Sequence, residues 1–320
     1  MKKSFFVLIL ALFSYANELK INANITALKY EQNALFIGTD SGEVLEYDLK
    51  SKKIQKLIKL PAVQNHYEKG LGARIHSLDV YKNSFLVVSE GDFGTQNLNL
   101  CPKNASCSTV KAPFTNVKKA FFIDENTALL ALLSADIKLI NLKEFLSLNS
   151  KSATKEFKFS LTSLNDITLD ETRQKLLSAT ESGELKVFDL QSWRVLANYD
   201  KIHKDFLYQI DFKNGVIVSC GNDKKVGIVR DNEQKFIPNS NVIYSCALNA
   251  NGQIAAYTIF KQDGKNKTEL IDTKSLKKIA SFENENFSPE FIIFLNEKEF
   301  LLSNYEGILL RSLKWIYLAF

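Results

Sequence analysis

A chain of 320 residues is long enough for one large all-β domain or two ordinary domains. Its 45% hydrophobic and 24% charged content is that of a folded globular protein, and with 13 Gly and 5 Pro it is neither low-complexity nor rich in linkers. The formal charge of +5 is small and spread along the chain, which argues against a nucleic-acid or anionic-membrane binder.

The first sixteen residues read as a targeting segment. Lys2 and Lys3 precede an apolar run, FFVLILALF at 5–13, and Ser14-Tyr15-Ala16 supplies small residues at the positions that a signal peptidase reads. Cleavage is expected after Ala16, leaving 17–320 as a single domain. The rival, a retained membrane anchor, needs ~20 apolar residues and this run is shorter. Losing Lys2 and Lys3 takes Lys and Arg from 41 to 39 against 36 Asp and Glu, a net of +3. No twin-arginine pair precedes the run, so the chain is expected to be exported unfolded, to the periplasm, without a cytoplasmically loaded cofactor. No later stretch approaches the ~18 apolar residues of a membrane helix.

The rest of the chain repeats. Thr39-Asp40-Ser41-Gly42-Glu43 matches Thr180-Glu181-Ser182-Gly183-Glu184, and Leu45-Glu46-Tyr47-Asp48-Leu49 matches Lys186-Val187-Phe188-Asp189-Leu190. Seven units open at Ile25, Ile75, Val117, Leu164, Leu207, Val242 and Phe291, near the ~40–45-residue spacing of four-stranded propeller blades. The second strands, among them ALFIGT, SFLVVSE and VIVSCG, are apolar on both faces, as strands buried between neighbouring sheets must be. A transmembrane barrel would alternate strictly over ~10 residues per strand, and these runs do not. Asn33-Ala34, Asn214-Gly215, Asn251-Gly252 and Asp263-Gly264 provide residues that tolerate positive φ in turns. One helical piece, 142–149, reads as an insertion between strands. The fold is therefore an all-β, seven-bladed propeller. Its seventh unit has three clear strands, and ELKINANI at 18–25 is unplaced. Donating it to the last blade closes the ring and hides both edges. The alternative filler is WIYLAF at 315–320.

On these residues, with Ser219-Cys220-Gly221-Asn222-Asp223, the chain resembles the WD-repeat propellers. Tyr47-Asp48 and Phe188-Asp189 stand where that family has Trp-Asp, and only Lys201-Ile202-His203 stands where it has Gly-His.

Catalytic motifs are missing: there is no phosphate loop, HExxH, GxSxG or CxxCH. His66, His76 and His203 are not at ligand spacing, and no catalytic, cofactor or metal residues are assigned. Cys101 and Cys107 bracket a polar loop, and an oxidising compartment favours a disulfide between them; the other reading is an exposed redox pair, although the spacing is not CxxC. Cys220 and Cys246 lie in apolar runs of consecutive units, either as free thiols or as a buried pair. The inter-unit loop 61–74 carries His66, Tyr67, Lys69 and Arg74 without a strand pattern, and these four form the candidate partner-binding patch.

An exported propeller without catalytic motifs is expected to be a non-enzymatic protein-binding monomer. The export segment, ELKINANITALKY at 18–30 and LFIGTDSGEVLEYDL at 35–49 further resemble accessory proteins of the periplasmic nitrate reductase system of the NapL type. That resemblance implies maturation of the reductase, or electron delivery to it, through contacts with the reductase or its electron donors. Two alternatives stand beside it. A lipoprotein scaffold for outer-membrane assembly would need a cysteine where Asn17 stands. A quinone-dependent or lactonase-type propeller enzyme would need docking motifs that Trp193 and Trp315 alone do not supply.

Overall fold

The computed structural model describes residues 15–103, 105–148, 153–285 and 287–312. Seven four-stranded antiparallel sheets follow one another along the chain as blades 1 to 7. Their innermost strands are Ile25–Glu31, Ile75–Tyr81, Val117–Phe122, Leu164–Leu169, Leu207–Lys213, Ile243–Leu248 and Phe291–Asn296. These begin at or one residue from the expected openings. An even number of antiparallel strands brings the end of each blade back to the face where it began. Every connection to the next blade therefore lies on one face of the molecule, with the turns between second and third strands. This is the mouth face.

Burial follows the order of strands within a blade. The second strands Ala34–Thr39, Val216–Gly221 and Ile254–Ile259 are buried at every residue, because a sheet packs on each side of them. The outermost strands Lys53–Lys59 and Glu233–Pro238 are largely exposed, and they are lysine- and glutamine-bearing. Apolar clusters fill the spaces between blades, and each draws on two successive sheets. In the cluster between blades 3 and 4, Phe188 packs against Phe157, Phe159 and Trp193 at ring-centroid distances of 4.7, 5.4 and 5.2 Å. The Asp that follows each such aromatic closes the next turn: Asp48 accepts the Ser51 N–H at 2.6 Å and Asp189 the Ser192 N–H at 2.7 Å. The Tyr-Asp and Phe-Asp pairs thus divide between core and turn.

The ring closes through the N-terminus. Strand Tyr15–Lys20 is the fourth strand of blade 7 and pairs antiparallel with Ile308–Ser312. It occupies 15–20 rather than 18–25, because Ile25 already opens blade 1 and the turn at Gly307 draws 21–24 out of the sheet. The Ile21 N–H donates to the Gly307 carbonyl and the Ile25 N–H to the Tyr305 carbonyl, both at 2.8 Å. The strand reaches two residues into the segment read as a signal; residues 1–14 and the alternative filler 315–320 lie outside the described residues. Helix Leu142–Leu148 sits in the outer connection of blade 3, with Leu142 and Phe145 buried against blades 2 and 3.

Two local expectations differ from the structure. Loop 61–74 contains a small ladder, Val63–Gln64 with Lys69–Leu71, because Asn65 caps the Tyr67 and Glu68 N–H groups at 2.8 and 2.7 Å. The run TELIDT at 268–273 predicts the third strand of blade 6, which begins three residues earlier, at Lys265, because polar Asn266 is buried and used: its amide donates to the Phe287 carbonyl.

Candidate functional site

The innermost strands share an irregularity that decides what faces the channel. In each of blades 1 to 6 the pairing with the second strand slips by one residue near the start: between Ile25 and Ala27, Ile75 and Ser77, Val117 and Lys119, Leu164 and Asp166, Leu207 and Gln209, and Ile243 and Ser245. A β-bulge leaves one residue unpaired and re-aims its side chain. The residues so displaced are Thr26, His76, Lys118, Asn165, Tyr208 and Tyr244. Blade 7 pairs without this slip, and Glu290, bonded to the Ser303 carbonyl at 2.8 Å, stands at its start. A cavity of about 370 Å³ is lined by His76, Lys118, Asn165, Tyr208, Tyr244 and Glu290 from six successive blades. It is the mouth of the central channel.

Polar side chains clasp neighbouring inner strands at three junctions, between blades 2 and 3, 4 and 5, and 5 and 6, and hold this part of the ring in register. Ser77 Oγ accepts the Ala120 N–H at 3.0 Å, and Asp79 accepts the Phe122 N–H at 2.9 Å. Asp166 accepts from Ile210, Gln209 from Cys246 and Asp211 from Leu248, at 3.0, 3.0 and 2.9 Å. Each clasp satisfies a backbone donor that would otherwise be buried unpaired. Asp79 is held further by Lys29 at 3.0 Å and by Arg173, which reaches over from blade 4. Burial alone would raise the Asp79 carboxyl; the two cations outweigh it and hold the group below the usual carboxylate range.

The electrostatics of the mouth are those of a half-dry polar site. Lys119 pairs with Asp166 at 2.5 Å, whereas Lys118 has no ion-pair partner among the described residues. Burial lowers the lysine pKa of Lys118. Burial also lowers His76, outweighing nearby Glu90. Burial raises Glu290. The Asn165 amide is buried, and its Nδ2 has no hydrogen-bond partner.

A second cleft of about 370 Å³ runs from the mouth between blades 6 and 7, lined by Tyr208, Tyr244, Phe260, Asn266, Ser288 and Glu290. Its aromatic wall is continuous: Phe206, Tyr208, Tyr244 and Phe260 follow one another at centroid distances of 5.1, 4.5 and 5.2 Å. The exposed large apolar side chains favour the same face. Tyr67, Phe93, Leu133, Leu161 and Tyr244 lie on its connections, turns and bulges. Ile54, Leu196 and Phe236 are on outermost strands.

The residues singled out in the sequence separate in space. Arg74 enters the mouth region, its guanidinium 5.5 Å above the Tyr305 ring of blade 7. His66 turns away to pack on Phe93 at 5.1 Å, Tyr67 is 98% exposed, and Lys69 is exposed in the small ladder. The four share a face but not a site. Cys101 and Cys107 are disulfide-bonded at the end of blade 2 opposite the mouth, with Cys101 packed in the blade 1–2 cluster. Cys220 and Cys246 are free and buried, and both thiols donate to the Gln209 carbonyl, at 3.6 and 3.3 Å. His203, left isolated by the sequence, is fully enclosed: Nδ1 meets Asp223 at 2.9 Å and Nε2 meets Ser219 at 2.8 Å. This Ser-His-Asp chain ties the entry of blade 5 to its own second strand and turn, away from any open cleft. The bulge residues were missed by sequence reasoning. Their signal was the residue after each blade's opening aliphatic, which changes from Thr to His, Lys, Asn, Tyr and Tyr while the aliphatic remains.

No family model and no curated protein matches the chain. Among solved structures, the β-propeller domain of Myceliophteria thermophila Cps50 (Swd1) superposes with a TM-score of 0.69 at 12% identity, over 94% of this chain and 99% of that one. The WD40 β-propeller domain of Doa1 superposes with a TM-score of 0.68 at 12% identity, over 95% of this chain and 97% of that one. With seven blades, a ring closed by the N-terminal strand and this superposition over almost the whole chain, the fold is that of the WD40 propellers.

Proposed function

We propose that the chain is an exported, non-catalytic docking protein whose mouth face binds a protein partner, acting as an accessory factor of the periplasmic nitrate reductase system. The observation that carries the docking reading is the ring of bulge residues with exposed aromatic and aliphatic side chains gathered on one face. Contiguous apolar surface rimmed by polar groups is characteristic of protein-binding sites, and Tyr208, Tyr244 and Phe260 form such a stretch here. The reductase assignment, the periplasmic location and the reductase or its electron donors as partners are supported by the sequence resemblance of 18–30 and 35–49 and by the export pattern of 1–16. The partner would be matured, or supplied with electrons, through contact alone.

Deleting the gene is expected to lower periplasmic nitrate reductase activity and nitrate-dependent growth. The wild-type gene should restore both. The double variant Leu161→Ser, Tyr244→Ser should be exported at normal abundance and fail to restore them. Undiminished activity in the deletion strain would refute the nitrate assignment. Full restoration by the double variant would move the docking surface off this face.

A further inference from the structure

The mouth cavity and the aromatic cleft share Tyr208, Tyr244 and Glu290, so they form one groove that runs from the channel to the gap between blades 6 and 7. Its two ends differ in chemistry. At the channel end, Lys118 carries a charge that no carboxylate among the described residues pairs, since Asp166 is occupied by Lys119 and by two backbone N–H groups. Beside it, the Asn165 Nδ2 is an unused donor in a residue only 8% exposed. A buried donor without an acceptor is costly, and an incoming anion or carbonyl relieves it. At the outer end, Tyr208, Tyr244 and Phe260 offer ring faces and edges suited to a bulky apolar side chain. Glu290 stands at the junction, where its carboxylate can accept main-chain N–H groups.

We propose that this groove receives an extended segment of a protein partner, with an acidic side chain directed to Lys118 and Asn165 and an apolar or aromatic side chain a few residues away against Tyr208, Tyr244 and Phe260. The assignment rests on the docking reading of the mouth face and adds the chemistry of what docks. Charge complementarity selects the acid, and the aromatic wall selects its neighbour. Asp166 lines the same cavity but is engaged by Lys119 and two backbone N–H groups, so Lys118 and the Asn165 amide are the groups left to meet an incoming acid.

The test is selection of a phage-displayed random octapeptide library on the immobilised full-length chain, followed by fluorescence anisotropy of the selected peptides. Peptides that combine Asp or Glu with a large apolar residue are expected. Lys118→Glu should weaken them about tenfold or more, and so should Tyr244→Ala. An unchanged thermal melting curve for each variant shows that the fold is retained. Selected peptides that need Tyr244 but lack an acidic residue, or bind Lys118→Glu as well as the parent, overturn the acidic assignment and leave the docking face standing. Peptides indifferent to both substitutions overturn the groove and the docking reading together. A library that yields no binder overturns recognition of an extended segment.

Discussion

Asp79 of blade 2 joins side chains and backbone from blades 1, 3 and 4. It sits almost fully buried between Lys29 and Arg173, accepts the Phe122 N–H, and shares Arg173 with the carbonyls of Val80 and Phe122. Removing Arg173 leaves the buried carboxylate with Lys29 alone and the Val80 and Phe122 carbonyls without their donor. Arg173→Ala is therefore expected to cost about 3 kcal/mol, read from the urea midpoint at pH 7. The pH dependence follows from direction. The folded Asp79 carboxyl ionises below its unfolded value, so its contribution is complete above about pH 4 and is lost as the pH falls through the folded value. Asp79→Asn should be less stable than the parent at pH 7, and the gap should narrow as urea melts are taken down to pH 3. A gap that stays constant would mean that the charge is not what matters. At this scale little is legible beforehand: Asp79 and Arg173 are 94 positions apart, and Arg173 reads as an ordinary turn residue.

The repeating element is the Thr-x-Ser-Gly turn and the connector it meets. Gly183 has φ +84, and a Cβ there would lie 3.0 Å from His203 and 3.1 Å from Asp205, in the connection to blade 5. Gly307, with φ +86, stands in the same relation to the ring closure: a Cβ would lie 2.5 Å from the Ile21 carbonyl oxygen and 2.6 Å from that of Ala23. Left-handed backbone costs a non-glycine residue about 1–2 kcal/mol, and here the side chain would also push the entering chain aside. Gly307→Ala should thus lower the melting temperature and speed hydrogen exchange in 15–20 and 308–312 ahead of the other blades. Unchanged protection there would dissociate the turn from the closure. The disulfide belongs to a different element, the outer hairpin of blade 2, where it closes a short loop. Cys101→Ser with Cys107→Ser should cost about 2 kcal/mol, and peptide mapping without reductant should find the two cysteines joined. Free thiols in the purified protein would contradict the linkage.

For the whole molecule, the donor strand is what makes a ring of seven sheets. Without residues up to Lys20, the edge of Ile308–Ser312 is left with unpaired backbone groups, a template for another chain. That truncation is expected to elute as oligomers in size exclusion, whereas a chain beginning at Asn17 retains the pairs from Asn17 to Lys20 and should run as a monomer. A monomeric truncation would show that the edge is covered in another way. Ring closure also sets the scale of the groove, because its lining residues come from blades 2 to 7 and share a cavity only when all seven sheets are in place.

Local chemistry in the sequence determined the number of blades, the order of strands and the turns. Those depend on residues within about ten positions of one another: continuous apolar runs, Asn and Gly at positive φ, and Asp after a buried aromatic. Only the tertiary structure decided which residues meet. Thr26, His76, Lys118, Asn165, Tyr208 and Tyr244 are scattered over more than two hundred positions, and no local pattern marks them as a group. A one-residue bulge in the inner strands of blades 2 to 6 brings the last five of them to one cavity, and the ring around it closes only because the first strand of the chain pairs with the last blade.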